Sequence, residues 1–129
     1  MNVFEKERTR HHISVRVAHE GILIALRTQP NFAYHAFFSL TSVLFGVFFQ
    51  ITRYEWLIIC VTIIMGFVIE MANTSIEYVV DLATKKWHKD AKQAKDIAAG
   101  MMMIFAYGSV LIAVIIYTPY FLSLMRWLK

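Results

Sequence analysis

Three long apolar stretches, separated by short polar segments, dominate the pattern of hydrophobic and polar positions along the chain. They cover residues 32–52, 56–72 and 98–124. Each reaches roughly the 17–25 residues that a helix needs to cross the hydrocarbon core of a bilayer. The pattern therefore predicts an all-α integral membrane protein with three transmembrane helices. Residues 73–97 form a polar extension and loop between the second and third spans.

The segment before the first span is amphipathic. Between residues 13 and 27, apolar side chains recur at helical spacing, whereas Arg16, Glu20 and Arg27 lie off that stripe. This pattern favours a helix lying in the membrane interface. A helix that packs on the others, as in a water-soluble protein, is compatible with the same pattern. Pro30 ends the segment because it lacks an amide donor and disfavours helix at the preceding residue.

Basic residues are unevenly distributed between the two sides of the predicted membrane. Before the first span lie Lys6, Arg8, Arg10, Arg16 and Arg27. Between the second and third spans lie Lys85, Lys86, Lys89, Lys92 and Lys95. Between the first and second spans, Arg53 is the one basic residue. The positive-inside rule then places the N-terminus and residues 73–97 in the cytoplasm. We expect residues 1–129 to form one multi-pass domain.

The composition excludes an ordinary water-soluble domain, because 58% of the residues are hydrophobic. The net charge of +4 could indicate nucleic-acid binding, but the basic residues flank apolar segments. That placement fits anionic lipid headgroups or a polyanionic ligand better, so we expect no nucleic-acid partner. The chain has a single cysteine, Cys60, which excludes a disulfide within the chain.

Three carboxylates share one helical face at the end of the second span. At about 100° per residue, Glu70, Glu77 and Asp81 stack on this face, and Asn73 flanks it. An ionisable side chain at membrane depth is by default a candidate for function. Apolar surroundings favour the protonated form of a carboxyl, which suits a general base at Glu70. The other two acids could hold Mg²⁺ through oxygen ligands or could simply form a solvated face.

A basic and acidic pair opens the helix of the third span. Lys95 could bind phosphate while Asp96 orients it, and the positive helix N-terminus would add to the attraction. Alternatively, Lys95 extends its amine to the interface beside an acid in the opening turns. Acids and a base at one cytoplasmic rim are what a nucleotide–metal site requires. Asp90 is the predicted N-cap, and His88, by spacing alone, is a solvated loop residue.

The second half of the chain carries one long ordered motif. It reads Glu70-x-x-Asn73-x-x-x-Glu77-x-Val79-Val80-Asp81, then His88, then Ala94-Lys95-Asp96-x-Ala98-Ala99-Gly100. This motif resembles that of the prokaryotic diacylglycerol kinase family, and the correspondence covers essentially the whole chain. Upstream, Asn31-Phe32-x-x-His35 and Glu55-Trp56 are more similar to the undecaprenol kinase branch, typical of Gram-positive bacteria.

The resemblance implies a homotrimeric kinase of the cell membrane. Such an enzyme transfers the γ-phosphoryl group of ATP, with Mg²⁺ as cofactor, to a lipid alcohol at the cytoplasmic interface. The expected acceptor is undecaprenol, giving undecaprenyl phosphate, and the alternative is diacylglycerol, giving phosphatidic acid. A small proton- or cation-coupled transporter or accessory subunit is a rival from another class, with Glu70 as the relay. A relay favours a charge near mid-span, whereas Glu70 lies near the cytoplasmic end.

The resemblance also implies roles for individual residues. Glu70 would be the general base at the lipid hydroxyl, Asn73 would help position that site, and Glu77 would bind the metal and thereby the ATP phosphates. The implied nucleotide contacts are Lys95, Asp96, His88, Lys86 and Trp87. Arg10 and Ala99 would contact the lipid substrate.

One position departs from the family pattern. Where the family usually has a glutamate that shares metal binding with Glu77, this chain has Gln29, followed by Pro30. A neutral carboxamide is a poorer ligand for a hard dication than a carboxylate. Three outcomes follow: Gln29 ligates through its oxygen and so also contacts the MgATP, Asp81 compensates, or activity is reduced.

Overall fold

The protein folds into four consecutive α-helices, as a computed structural model shows for residues 15–128. They are α1 (Val15–Thr28), α2 (Asn31–Phe49), α3 (Arg53–Ala83) and α4 (Lys89–Trp127). The predicted all-α class is confirmed. The predicted start of the first helix at residue 13, and Arg10, lie outside the described residues.

Helices α2, α3 and α4 are long and apolar enough to cross a membrane. With 31 and 39 residues, α3 and α4 extend about 46 Å and about 58 Å. Both exceed the hydrocarbon core, which is about 30 Å thick. The two helices are therefore longer than a membrane crossing requires, and residues 84–88 form the loop that joins them.

The turn between α2 and α3 is built from complementary helix ends. Gln50 ends α2 in the left-handed conformation, with a φ of 51°, and its amide returns to the Gly46 and Val47 carbonyls. Thr52 caps α3 in a capping box with Glu55, whose carboxylate accepts the Thr52 amide at 2.7 Å. These caps satisfy backbone groups that each helix end leaves without a partner, so the chain reverses within a few residues.

The N-cap of α4 differs from the predicted one. His88 occupies the cap, and its Nδ1 accepts a hydrogen bond from the Asp90 amide at 3.2 Å. The prediction of Asp90 as the cap was therefore wrong. Asp90 lies in the first turn of α4 instead, where its negative charge still complements the helix dipole.

The buried core lies near the turn between α2 and α3. Its buried cluster consists of Ile51, Ile59, Ile116 and Tyr117, and single buried residues such as Phe32 and Ala98 lie outside this cluster. The Tyr117 hydroxyl donates to the Ser42 carbonyl at 2.6 Å and so joins α4 to α2. Most large apolar side chains elsewhere on the three long helices are exposed in the single chain. This distribution suits helices whose outer faces meet hydrocarbon rather than water.

Candidate functional site

Glu70 is fully buried and receives no hydrogen bond from the residues that the structure describes. Its exposure is 0%, and it is the largest completely buried side chain of the described residues. Within residues 15–128, no group donates a hydrogen bond to either of its carboxyl oxygens. Burying a carboxyl group without such partners is energetically unfavourable, so packing does not account for a glutamate here.

The next turns of α3 add further polar atoms without partners. Asn73 and Thr74 are 5% and 4% exposed, and the Asn73 carbonyl oxygen and the Thr74 hydroxyl have no partner in the described structure. The Asn73 amide donates to Glu77 Oε1 at 3.2 Å, which fixes the orientation of both side chains. One face of α3 thus presents buried oxygen atoms that a ligand could engage.

The acidic face of α3 meets a base of α4 at the end of the stripe. Lys95 Nζ donates to Asp81 Oδ1 at 2.6 Å, and both side chains are partly exposed. This hydrogen bond is the main reason that the pKa of Asp81 lies below its ordinary value. Coulombic attraction from Lys95 and Lys85 adds to the effect, and desolvation opposes it. On α4 itself, Lys92 pairs with Asp96.

A cavity of about 460 Å³ lies between the 84–88 loop and the first turns of α4. Its volume falls in the range of about 300–1,000 Å³ that is usual for small-molecule sites. The cavity gathers one predicted acid and all the predicted nucleotide contacts that follow it in the sequence. These are Asp81, Lys86, Trp87, His88, Lys95 and Asp96. The Thr84 hydroxyl shapes the loop by accepting the Lys86 amide at 3.2 Å.

Other predicted residues lie away from this cavity. Glu77 is one turn of α3 before Asp81 and does not line it. Gln29 lies at the turn between α1 and α2, where its backbone amide donates a hydrogen bond to the Ala25 carbonyl. Ala99 is exposed on α4. Within the described ranges, no three His, Cys, Asp or Glu side chains are close enough together to hold a metal ion.

One residue beside Glu70 was not among the predicted site residues. His35 of α2 places its Nε2 3.9 Å from Glu70 Oε2, and its side chain is 22% exposed. The sequence contains a signal for it, since His35 is an ionisable residue within the first predicted span, and such residues mark function at membrane depth. Which residue it would face could not be read from spacing, because 35 positions separate the two.

Residues 16–117 match the family described as prokaryotic diacylglycerol kinase. The chain belongs to this family. Over 102 residues it is 40% identical to the undecaprenol kinase of Bacillus subtilis (strain 168), covering 79% of this chain and 83% of that protein. It is also 32% identical over 114 residues to the diacylglycerol kinase of Synechocystis sp. (strain ATCC 27184 / PCC 6803 / Kazusa), covering 88% of this chain and 65% of the relative.

Membership of the prokaryotic diacylglycerol kinase family confirms the resemblance found in the sequence. It also confirms the predicted enzyme class, a phosphotransferase with an alcohol acceptor. The transporter alternative has no comparable support. The family match begins within α1 and ends within α4, so Glu70, Glu77, Asp81 and Lys95 lie inside the matched region.

Proposed function

We propose that this protein is an ATP-dependent undecaprenol kinase, which forms undecaprenyl phosphate at the cytoplasmic face of the cell membrane. The observation that carries the proposal is the fully buried Glu70 carboxyl, which has no hydrogen-bond donor among the described residues. Glu70 lies on α3 together with Glu77 and Asp81, and Asp81 lines the cavity that also contains Lys95. The relative named undecaprenol kinase supports the choice of acceptor.

The proposed roles follow the order of side chains along α3. Glu70 takes the proton of the lipid hydroxyl as the new oxygen–phosphorus bond forms and the bond to the ADP oxygen breaks. Asn73 positions the groups around it. Glu77 lies about 10 Å further along the helix axis and Asp81 about 16 Å, which places them toward the aqueous phase. The bilayer delivers the acceptor to the buried end and the cytoplasm delivers ATP to the other.

The nucleotide would occupy the cavity beside the 84–88 loop. Lys95 would bind phosphate oxygens, and Asp96 would orient the neighbouring Lys92 rather than Lys95. Lys95 is held by Asp81 and Lys92 by Asp96, so the phosphates would share or replace these acidic partners. Lys86, His88 and the exposed Trp87 would border the nucleoside, with the indole offering a face for stacking.

A Mg²⁺ ion fits the oxygen donors of α3. Mg²⁺ is commonly held by one or two carboxylates together with substrate phosphates and water. Glu77 would hold it, with the unpartnered carbonyl oxygen of Asn73 nearby, and Asp81 or Gln29 could contribute oxygen ligands. When bound, the ion would offset negative charge on the transferring phosphoryl group.

We further propose that the enzyme is a homotrimer and that α1 lies in the membrane interface on the cytoplasmic side. Arg16 and Glu20 form an exposed ion pair on α1, while Leu23 and Ile24 are about half exposed. This amphipathic arrangement supports an interfacial position. Arg10 and Ala99 are proposed lipid contacts. Light scattering of the purified protein, corrected for bound detergent, tests the trimer.

Turnover by the purified protein in liposomes tests the function. ADP release and phosphorylated lipid are measured after addition of undecaprenol or of diacylglycerol, for the wild type and for Glu70→Gln. We expect turnover with undecaprenol that the variant loses, whereas Glu20→Gln on the exposed face of α1 retains it. Faster turnover with diacylglycerol would establish the alternative acceptor, which the 32% identical relative favours. Absence of phosphorylated lipid with both would refute the kinase.

A further inference from the structure

Among residues 15–128, His35 is the titratable side chain that approaches Glu70 from another helix. Its Nε2 lies 3.9 Å from Glu70 Oε2. On α3, the neighbouring acid Glu77 is engaged by Asn73. From α4, Lys95 is bonded to Asp81, and the charged side chains of α1 are exposed. Within the described part of the chain, His35 is therefore the partner available to the Glu70 carboxyl.

The packing around His35 holds its ring beside α3. The imidazole lies tilted at 50° to the Phe67 ring, with the ring centroids 6.1 Å apart. A methyl group at Gly66 would lie 3.0 Å from the Phe105 ring and 3.3 Å from His35 Nδ1, so the glycine leaves space that both rings use. Gly66 lies one helical turn before Glu70 on the same face. Contacts with neighbouring protein groups therefore determine where the imidazole ring lies.

His35 also lines an apolar cavity of about 520 Å³ between α2, α3 and α4. Other lining residues include Phe38, Phe45, Ile59, Phe105 and Phe121. Glu70 does not line this cavity, but His35 contacts both. The imidazole consequently lies between the buried carboxyl and a space that suits hydrocarbon.

We propose that His35 is a positioning residue that orients the Glu70 carboxylate and receives its proton during phosphoryl transfer. This inference rests on the proposed kinase function. Glu70 removes the proton of the lipid hydroxyl while the hydroxyl oxygen bonds to the γ-phosphorus and ADP leaves. The proton then passes from Glu70 to His35 Nε2 and on to water, which restores the carboxylate for the next turnover. Separations of this kind often shorten once substrate binds.

Kinetics of His35→Gln test the proposal in the full-length protein in liposomes. Proton transfer by a positioned group contributes about 10²–10⁴-fold, so removing the acceptor should lower kcat at least about tenfold. We expect the KM for the lipid to stay within about twofold. Added imidazole should restore part of the rate, which would not happen if His35 only supported the fold. The exposed His19, bonded to the Val15 carbonyl, provides the matched control His19→Gln.

A second variant separates position from chemistry. Gly66→Ala keeps the imidazole but crowds it together with the Phe105 ring, so kcat should fall although the proton acceptor is still present. If His35→Gln folds and retains the wild-type kcat, the proposal is overturned while the kinase function stands. If the wild type phosphorylates no lipid, the kinase function fails and takes the role of His35 with it. In either case the ¹⁵N signals of the His35 ring, compared in Glu70→Gln, report the contact independently of turnover.

Discussion

Replacing Glu70 by methionine should make the protein more stable and inactive. Glu70 is 0% exposed, and the described residues provide no hydrogen-bond donor for its carboxyl oxygens. A buried polar group left without a partner costs about 1–3 kcal/mol of folding free energy. Methionine is similar in length, is apolar and adapts to irregular spaces. We therefore expect Glu70→Met to raise the free energy of unfolding by about 1–3 kcal/mol.

Loss of the carboxyl should at the same time remove the proposed base. The contribution of such a group is about 10²–10⁴-fold, and kcat should fall by this factor. The variant breaks no hydrogen bond to His35, whose Nε2 lies 3.9 Å from Glu70 Oε2, so the loss of this neighbour offsets little of the stability gain. Unfolding by denaturant in mixed micelles, followed by tryptophan fluorescence, measures the first effect, and lipid phosphorylation measures the second.

The matched control is Glu20→Met on α1. The Glu20 side chain is 55% exposed and pairs with Arg16 at 3.0 Å. Exposed ion pairs contribute little, so we expect a change in unfolding free energy within about 1 kcal/mol and full activity. A Glu70→Met variant that unfolds more easily than the wild type would refute the reasoning, because it would mean that the folded protein satisfies the carboxyl group.

Three further predictions concern the acids of α3 and a close helix contact. Glu77→Gln should raise the Mg²⁺ concentration needed for half-maximal turnover, because a carboxamide is a weaker ligand. Because Lys95 holds the pKa of Asp81 below its ordinary value, their bridge should stabilise the protein above the ordinary pKa of an aspartate and be lost as the pH falls through the lowered one. Thermal unfolding as a function of pH measures this loss, which Asp81→Asn should lack. Gly46→Ala should destabilise the protein by about 1–3 kcal/mol, because the added methyl would lie 2.8 Å from the Trp56 ring.

Each of these predictions has a control in the same chain. Glu20→Gln should leave the Mg²⁺ dependence unchanged, and a shift equal to that of Glu77→Gln would contradict the metal role. An acid sensitivity of Asp81→Asn equal to that of the wild type would remove Asp81 as its source. Gly108→Ala adds a methyl with no neighbour within 4 Å, so it should be tolerated in the single chain. Equal destabilisation by both alanines would contradict the steric argument.

Local rules account for how much of this protein could be predicted. Apolar length and turn residues predicted three long helices, and α2, α3 and α4 are the result. Helical periodicity placed Glu70, Glu77 and Asp81 on one face because residues on a single helix have a set angular relation. The same rules erred at the start of α4, where Asp90 was the predicted cap. Aspartate often caps helices, but here the His88 imidazole is the cap and accepts a hydrogen bond from the Asp90 backbone amide.

By itself, the sequence determined the helical class, the apolar spans, the acidic face of α3 and the family motif. These depend on composition and on residues near one another along the chain. The tertiary structure alone decided that Glu70 is completely buried, that His35 faces it and that Lys95 meets Asp81. Such contacts depend on how the helices pack side by side and where the 84–88 loop turns the chain. Periodicity within a helix carries no information about that register, because it describes one helix at a time.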